Sequence, residues 1–150
     1  MSDSRPSTAG DFPAYPGERL GLPESGPGSI AGWGRRIVAL FVDWVASTLV
    51  AALVFGYQWF GETAGQQGWV GATPLLVFWL EASFLTALLG GSFGQLVMRV
   101  VVVRVDGRQV TLLQALLRTL LILLVIPPLV FNRDQRGLHD LATKTVTLRR

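Results

Sequence analysis

Residues 37–56 read IVALFVDWVASTLVAALVFG, a stretch of 20 residues in which Asp43 is the only charge. A helix of this length rises about 30 Å, which is enough to cross the hydrocarbon core of a bilayer. A second stretch, residues 70–90, reads VGATPLLVFWLEASFLTALLG and also holds a single charge, Glu81. The sequence therefore predicts an all-α integral membrane protein with two transmembrane helices.

A third apolar segment, residues 112–131, reads LLQALLRTLLILLVIPPLVF, with Arg118 as its only charge. Its Pro127 and Pro128 remove two backbone donors and can break a helix. Three full crossings would place the basic residues after 131 outside the cell, whereas Lys and Arg favour the cytoplasmic side. We therefore expect a kinked or re-entrant third segment, and a plain third crossing is the alternative.

The distribution of Lys and Arg predicts the orientation of the chain. Arg35 and Arg36 precede the first segment, and the connection over residues 57–69 contains neither Lys nor Arg. The connection over residues 91–111, in contrast, contains three arginines. Because cytoplasmic loops are enriched in these cations, we expect the N-terminus and the second connection to be cytoplasmic.

The overall composition excludes several classes of protein. Half of the 150 residues are hydrophobic and 15% are charged, against about 25% in typical soluble domains, so a soluble enzyme is not expected. The chain has no cysteine and a single histidine, His139, which leaves little for a catalytic triad, a metal site or a bound cofactor. The net charge of +3 indicates topology and contact with the lipid bilayer rather than nucleic-acid binding.

Residues 1–32 differ in composition from the rest of the chain. They contain five Pro, six Gly and five Ser and show no hydrophobic period. Such a segment buries too little apolar surface to offset its ordering entropy, so we expect a disordered cytoplasmic leader.

Short segments between and after the apolar stretches have expected structural roles. Residues 100–105 (VVVVRV) and 143–148 (TKTVTL) are β-prone and are expected to pair as small cytoplasmic elements. The glycines of GGSFGQ at 90–95 are expected to end the second helix and turn the chain. The segment RDQRGLHD at 133–140 is expected to cap or dock locally rather than to catalyse a reaction.

Three charges lie within the apolar segments: Asp43, Glu81 and Arg118. Counted by helical rise, all three fall at about one depth in the cytoplasmic half of the membrane. Each costs about 2.5–3.5 kcal/mol at the centre of an inserted helix. We therefore expect an intramembrane polar cluster, with two interpretations: a site for a small cation or proton, or an Arg–acid contact that locks the helices together.

Several motifs together resemble the RDD family of small bacterial membrane proteins, which is named for one arginine and two aspartates. The pattern R-x-x-A-x-x-x-D at Arg36, Ala39 and Asp43 is similar to the opening helix of that family. The segment GLHDLATKTVTL at 137–148 resembles its terminal signature, in which Asp140 is the second aspartate.

Further matches extend the resemblance over residues 33–148. The segment GGSFGQLVMRVVVVRVDG resembles the family's glycine-containing turn and following strand, and Arg118 matches an arginine early in its last apolar segment. This chain departs from the pattern at Gln95, where lysine is common, and at Lys144, where glycine is usual. We expect residues 33–150 to form an RDD-like membrane domain.

The resemblance implies a multi-pass protein of the bacterial plasma membrane, and transport, including cation/proton exchange, has been suggested for the family. Two or three helices do not easily enclose a conduction path, so a transport component would act as a homo-oligomer or with a partner membrane protein. The alternative is a non-catalytic accessory or scaffold protein of a larger complex. Neither interpretation makes the chain an enzyme.

Overall fold

The computed structural model describes residues 13–58, 69–124 and 137–150, which form five α-helices and two strands. The helices are α1 (Trp33–Phe55), α2 (Thr73–Leu89), α3 (Phe93–Val97), α4 (Leu112–Leu123) and α5 (Leu138–Ala142). The strands are β1 (Val100–Arg104) and β2 (Thr145–Arg149). Short 3₁₀ helices at Glu18–Leu20 and Trp69–Ala72 precede α1 and α2.

Two helical segments are long and apolar enough to span a membrane: α1, with 23 residues, and Trp69–Leu89, with 21. Only 28% of the apolar window of the first and 33% of the second are buried inside the protein. A core helix of a soluble domain would be mostly covered, so these helices present their apolar surface outward. The structure thus contains both of the predicted helices of membrane-spanning length.

The packing of α1 reverses the usual arrangement of a water-soluble helix. Its buried positions are all small or polar: Ala39, Asp43, Ser47, Thr48 and Ala51. Four of the five recur every four residues. Most of its leucines and aromatic residues face outward, and Leu53 is 86% exposed. Small residues at helix contacts allow close approach, and outward apolar side chains match a lipid solvent. The bundle therefore has the surface of a membrane protein.

Helix α2 packs against both α1 and α4. The indole Nε1 of Trp79 on α2 donates to the carbonyl oxygen of Leu116 on α4 at 3.0 Å. The hydroxyl of Ser83 donates to the Trp79 carbonyl of its own helix at 2.6 Å. These bonds satisfy polar groups that would be costly to leave unpaired in an apolar environment.

The two strands form an antiparallel pair in which Val102 faces Thr147. On its other edge β2 receives the chain that leads into α1, because the Ala31 amide donates to the Thr147 carbonyl at 2.9 Å. The Val102 amide donates to the carbonyl of Gly90, just past the end of α2, at 2.6 Å. The sheet therefore lies at the end of the bundle where α1 begins and α2 ends.

The structure can be compared with the predicted strand pairing and with the predicted third apolar segment. The two β-prone runs do pair: β1 lies within residues 100–105, and β2 overlaps residues 143–148 and ends one residue later, at Arg149. Their cytoplasmic placement stays a prediction. In the third apolar segment α4 accounts for Leu112–Leu123, whereas Pro127 and Pro128 lie outside the described residues, so the choice between a re-entrant segment and a plain crossing stays open.

The leader differs from the expectation of disorder within its described part, residues 13–32. These residues include the Glu18–Leu20 3₁₀ helix and a bridge from Ile30 to Leu148. Ala31 is completely buried. Composition missed this order because the contacts that hold the segment come from β2, more than 100 residues away in the chain. Disorder of residues 1–12 is a prediction outside the described part of the chain.

Candidate functional site

A single buried carboxylate, that of Asp140, joins three parts of the fold. It lies on α5 and its side chain is fully buried. Its Oδ1 accepts from Nε of Arg118 on α4 at 3.0 Å, and its Oδ2 accepts from Nη1 of Arg36 on α1 at 3.3 Å. The hydroxyls of Thr145 and Thr147 on β2 donate to the same two oxygens at 3.2 and 3.1 Å. We call these five residues the Asp140 cluster.

Arg36 uses all of its guanidinium nitrogens within this part of the protein. Besides the bond to Asp140, its Nε donates to the Ala31 carbonyl at 2.9 Å and its Nη2 donates to the Thr147 carbonyl at 3.3 Å. The planar guanidinium suits such a fixed set of acceptors, which an ammonium group would not match. Arg36 therefore ties the start of α1 to both β2 and α5.

Arg118 is almost fully enclosed, with 4% of its side chain exposed. In addition to the ion pair with Asp140, its Nη2 donates to the Thr147 hydroxyl at 3.3 Å. Asp140 thus receives two guanidinium groups, and His139 Nε2 lies 3.6 Å from its Oδ1. The cluster carries more positive than negative charge, so a further acid nearby would be favourable.

The surroundings of Asp140 favour its ionised form despite its burial. Burial by itself would raise the pKa of this carboxyl, but the electrostatic effects of Arg118, His139 and Arg36 outweigh it and lower the pKa below its ordinary value. A charge that is held in this way stabilises the fold only while its partners are present.

Asp43 occupies the middle of α1 and binds the turn that leads into α3. Its Oδ2 accepts from the Ser92 hydroxyl at 2.6 Å, and its Oδ1 accepts from the Gly94 amide. Glycine is required at position 94, because a Cβ there would overlap the carbonyl oxygen of Ala39 on α1. Asp43 also lies close enough to Arg118 for their charges to interact.

Glu81 on α2 reaches the same turn from the other side. Its Oε1 accepts from the Phe93 amide at 3.0 Å. Its Oε2 is buried and has no hydrogen-bond partner within the described residues. Two carboxylates from neighbouring helices therefore converge on the turn over residues 92–94.

A cavity of about 150 Å³ lies between the Asp140 cluster and the Asp43 turn. Its walls are largely apolar, with Leu40, Phe78 and Ile122 among them. Its polar lining includes Arg36, Asp43, Arg118, His139 and Thr147. About 10–15 Å³ of such space is enough for one water molecule, so the cavity has room for several waters or for a small ion with part of its hydration shell.

The structure divides the predicted intramembrane cluster into two connected groups. Arg118 forms its ion pair with Asp140 rather than with Asp43 or Glu81. Asp43 and Arg118 nevertheless line one cavity. Glu81, on α2, lies outside this lining and binds the turn at the start of α3. Of the three residues taken from the family pattern, Arg36 and Asp140 are in direct contact, and Asp43 faces the same cavity.

Sequence reasoning missed the threonines of β2 and the backbone donors of the α3 turn. One signal for the threonines was present: Thr145 and Thr147 are two residues apart in a β-prone run and so share one face of a strand. No comparable signal marks the Gly94 amide, since a backbone group has no side-chain identity. The described residues contain no group of three or more His, Cys, Asp or Glu arranged to hold a metal ion.

The outward apolar helices and the buried Arg–Asp cluster at one end of the bundle define a helical membrane protein with a charged interior site. The model of the RDD family matches residues 30–144, a span that includes Arg36, Asp43, Arg118 and Asp140. The chain therefore belongs to the RDD family. Neither the curated proteins nor the solved structures yielded a match.

Proposed function

We propose that this chain is a membrane-embedded transport component that moves protons or a small cation and acts as an oligomer. The observation that supports this function is the cavity of about 150 Å³, which Asp43 lines together with Arg36 and Arg118. A charged, hydratable space between helices of spanning length is the kind of site that ion and proton pathways use. The proposal involves no enzymatic chemistry and no cofactor.

In this proposal Asp43 and Glu81 carry the transported charge. Within the described residues, Asp43 accepts from one hydroxyl and one backbone amide, and Glu81 accepts from one backbone amide. A carboxyl that is protonated or bound to a cation can keep hydrogen bonds of this kind. Glu81 Oε2, buried without a partner among the described residues, is one oxygen available to a proton or an ion. Asp140, in contrast, is held between two arginines and serves as the fixed charge of the site.

The proposed location is the bacterial plasma membrane, with the sheet end of the bundle in the cytoplasm. Arg35, Arg99, Arg104 and Arg108 all belong to that end of the described chain, whereas residues 57 and 58 and Trp69–Ala72 carry no cation. This asymmetry agrees with the positive-inside rule.

The pairing of β1 with β2 supports a re-entrant third segment over a plain crossing. Paired strands lie on one side of the membrane, so the chain between them begins and ends on that side.

An oligomer, or a partner membrane protein, belongs to the proposal because two spanning helices do not surround a continuous path. Large outward side chains such as Phe41, Leu53 and Leu88 leave ample apolar surface for lipid or for a second copy. Mass measurement of the purified complex in mild detergent tests this part separately from transport.

The second candidate is a non-catalytic accessory or scaffold role. The observation that favours it is the network of hydrogen bonds and ion pairs that engages Asp43, Asp140 and Arg36 and joins α1 to α3, α5 and β2. Polar contacts of this kind hold membrane helices together without any transported species.

Flux through reconstituted vesicles distinguishes the two roles. The purified protein is placed in vesicles that contain a pH-sensitive dye, and a Na⁺ or K⁺ gradient is applied. We expect the parent chain to move protons in response, and we expect Glu81→Gln or Asp43→Asn to abolish that flux. Glu81→Gln is the sharper change, because the glutamine carbonyl can still accept from the Phe93 amide.

Asp106→Asn is the matched control, since Asp106 is an exposed acid outside the cavity. It should leave the flux unchanged. Gel filtration and circular dichroism check that each variant keeps its fold and oligomer size. Absence of flux from the parent chain would favour the scaffold role, and parent flux that survives both substitutions would remove Asp43 and Glu81 from the pathway.

A further inference from the structure

The segments that contain β1 and β2 are two copies of one structural unit. Each unit has a five-residue helix, two linking residues and a five-residue strand: α3 with β1, and α5 with β2. Equivalent positions lie 45 residues apart throughout, as Val102 and Thr147 do. The two units also share the conformation of the last linking residue, because Arg99 and Lys144 both have φ of 53°.

The strand register makes the two units symmetric. Val102 pairs with its own equivalent, Thr147, and Val100 pairs with Arg149 just as Arg104 pairs with Thr145. A pseudo-two-fold axis therefore passes through the Val102–Thr147 pair. Whatever lies at one corner of the sheet has a counterpart at the opposite corner.

The equivalent residues Arg99 and Lys144 have an unusual backbone for their type. Left-handed φ is uncommon for a residue with a side chain and is adopted by glycine at no steric cost. Both side chains are exposed, and neither has a carboxylate partner within the described residues. Both units thus place a cationic side chain at a strained backbone position. This repetition indicates that the two side chains bind something other than the protein itself.

Further cations gather beside each of these residues. The Arg150 amide donates to the Arg99 carbonyl at 2.8 Å. Arg149 pairs with Val100, the residue that follows Arg99. We call Arg99, Arg149 and Arg150 the first basic corner.

The second basic corner consists of Arg104, Arg108 and Lys144. The Val105 amide donates to the Lys144 carbonyl at 3.0 Å, and the Arg104 amide donates to the Arg108 carbonyl at 3.0 Å. One acid, Asp106, is bound here to Arg104 at 2.9 Å. Each corner thus keeps an excess of positive charge.

The position of the sheet places both corners near the membrane surface. Trp33 begins α1 and is 54% exposed, as expected of an aromatic residue at the headgroup level. Ala31, two residues before Trp33, pairs with β2 through a backbone hydrogen bond. The basic corners therefore lie beside the level at which lipid headgroups occur.

We propose that the two basic corners bind the headgroups of anionic phospholipids. A phosphate group accepts hydrogen bonds from several guanidinium donors, and juxtamembrane clusters of Lys and Arg attract anionic lipid surfaces. This binding rests on the membrane placement of the chain and not on its transport, so a protein that moves no ion would still bind these lipids.

The test compares short-chain phosphatidylglycerol with short-chain phosphatidylcholine as ligands for the full chain in mild detergent. Binding is followed by tryptophan fluorescence or thermophoresis at low and high salt. We expect the parent to prefer phosphatidylglycerol, with a preference that weakens as salt is added. The double variant Arg99→Gly with Lys144→Gly should reduce that preference by about thirtyfold, which corresponds to two surface cations.

This pair of substitutions separates binding from folding. Glycine relieves the left-handed strain, so the variant should unfold no more easily than the parent. Arg99→Lys with Lys144→Arg, which keeps both charges, should retain the lipid preference. The proposal is overturned if the parent shows no preference, if the double glycine variant keeps it, or if inorganic phosphate or a single-stranded oligonucleotide binds as tightly as phosphatidylglycerol.

Discussion

At the residue scale, the central feature is that one aspartate serves two arginines. Asp140 is completely buried, and its oxygens accept from Arg36, Arg118 and two threonines. In a low-dielectric interior each of these groups depends on the others, since removal of one leaves an uncompensated charge. The cluster is therefore a point at which a single substitution affects α1, α4, α5 and β2 together.

Arg118→Ala is expected to lower the free energy of unfolding by about 3–5 kcal/mol, because it removes the closer cation from a buried carboxylate. Denaturant titration in detergent measures this change. Arg118→Leu combined with Asp140→Leu should not recover it fully, because Arg36 would then lose its own counter-charge. Arg108→Ala, at an exposed arginine, is the matched control and should change stability by less than about 0.5 kcal/mol. Equal stability of Arg118→Ala and the parent would mean that the ion pair contributes nothing.

At the element scale, the short helix α3 shows how a backbone contact fixes the geometry of the site. Its first turn is closed by a capping box, in which Ser92 accepts from the Gln95 amide and the Gln95 side chain accepts from the Ser92 amide. The same turn is held from outside by Asp43 and Glu81. Because α3 meets α1 at Gly94, the position of Asp43 in the cavity depends on that close approach.

Gly94→Ala should therefore separate α3 from α1 and destabilise the protein by more than a typical surface change of about 0.5 kcal/mol. The added Cβ would overlap the carbonyl oxygen of Ala39, and a backbone atom has little room to move. The matched control is Gly34→Ala on α1, where a Cβ would meet no neighbouring atom within 4 Å. Alanine favours a helix interior over glycine, so this control should be neutral or slightly stabilising. Thermal unfolding in detergent gives both values, and the same loss for both variants would contradict the close-approach argument.

The helices of the bundle were predictable from sequence because their signals are local. Residues 37–56 and 70–90 are long apolar stretches with one charge each, and the structure places α1 and α2 over them. Pro74 lies at the start of α2 and Gly90, with φ of 80°, at its end, as their backbone preferences indicate.

The partners within the site were not predictable, because they depend on distant parts of the chain. Arg36 and Asp140 are 104 residues apart. Depth along a helix, calculated from helical rise, placed Arg118 at the level of Asp43 and Glu81. This calculated depth contained no information about the C-terminal segment, which brings Asp140 into contact with Arg118. The repeated unit also escaped sequence analysis, since its two copies share few identical residues, among them Leu96 with Leu141 and Val101 with Val146.

At the scale of the whole molecule, polarity is distributed in the reverse of a soluble domain. The interior holds charged and hydroxyl groups such as Asp43, Arg118 and Thr119, whereas Phe41, Leu53 and Leu88 are exposed. In water this surface would favour aggregation, and in a bilayer it is matched to its solvent. Within the described residues, the exposed arginines and lysine are concentrated at the sheet end. The proposed orientation of the chain in the membrane rests on this asymmetry.

The orientation can be measured directly, because the chain has no cysteine and single cysteines can be added without background labelling. In intact cells, a membrane-impermeant thiol reagent should label Tyr57→Cys, at the end of the bundle without cations. It should label Val105→Cys and Arg150→Cys only after the membrane is permeabilised, because both positions belong to the sheet end. A third helix that crossed the membrane once would expose position 150 outside while position 105 remained inside. Since Arg150 donates its amide to Arg99 beside β1, we expect positions 105 and 150 to behave alike. Labelling of Arg150→Cys in intact cells would instead establish a plain third crossing.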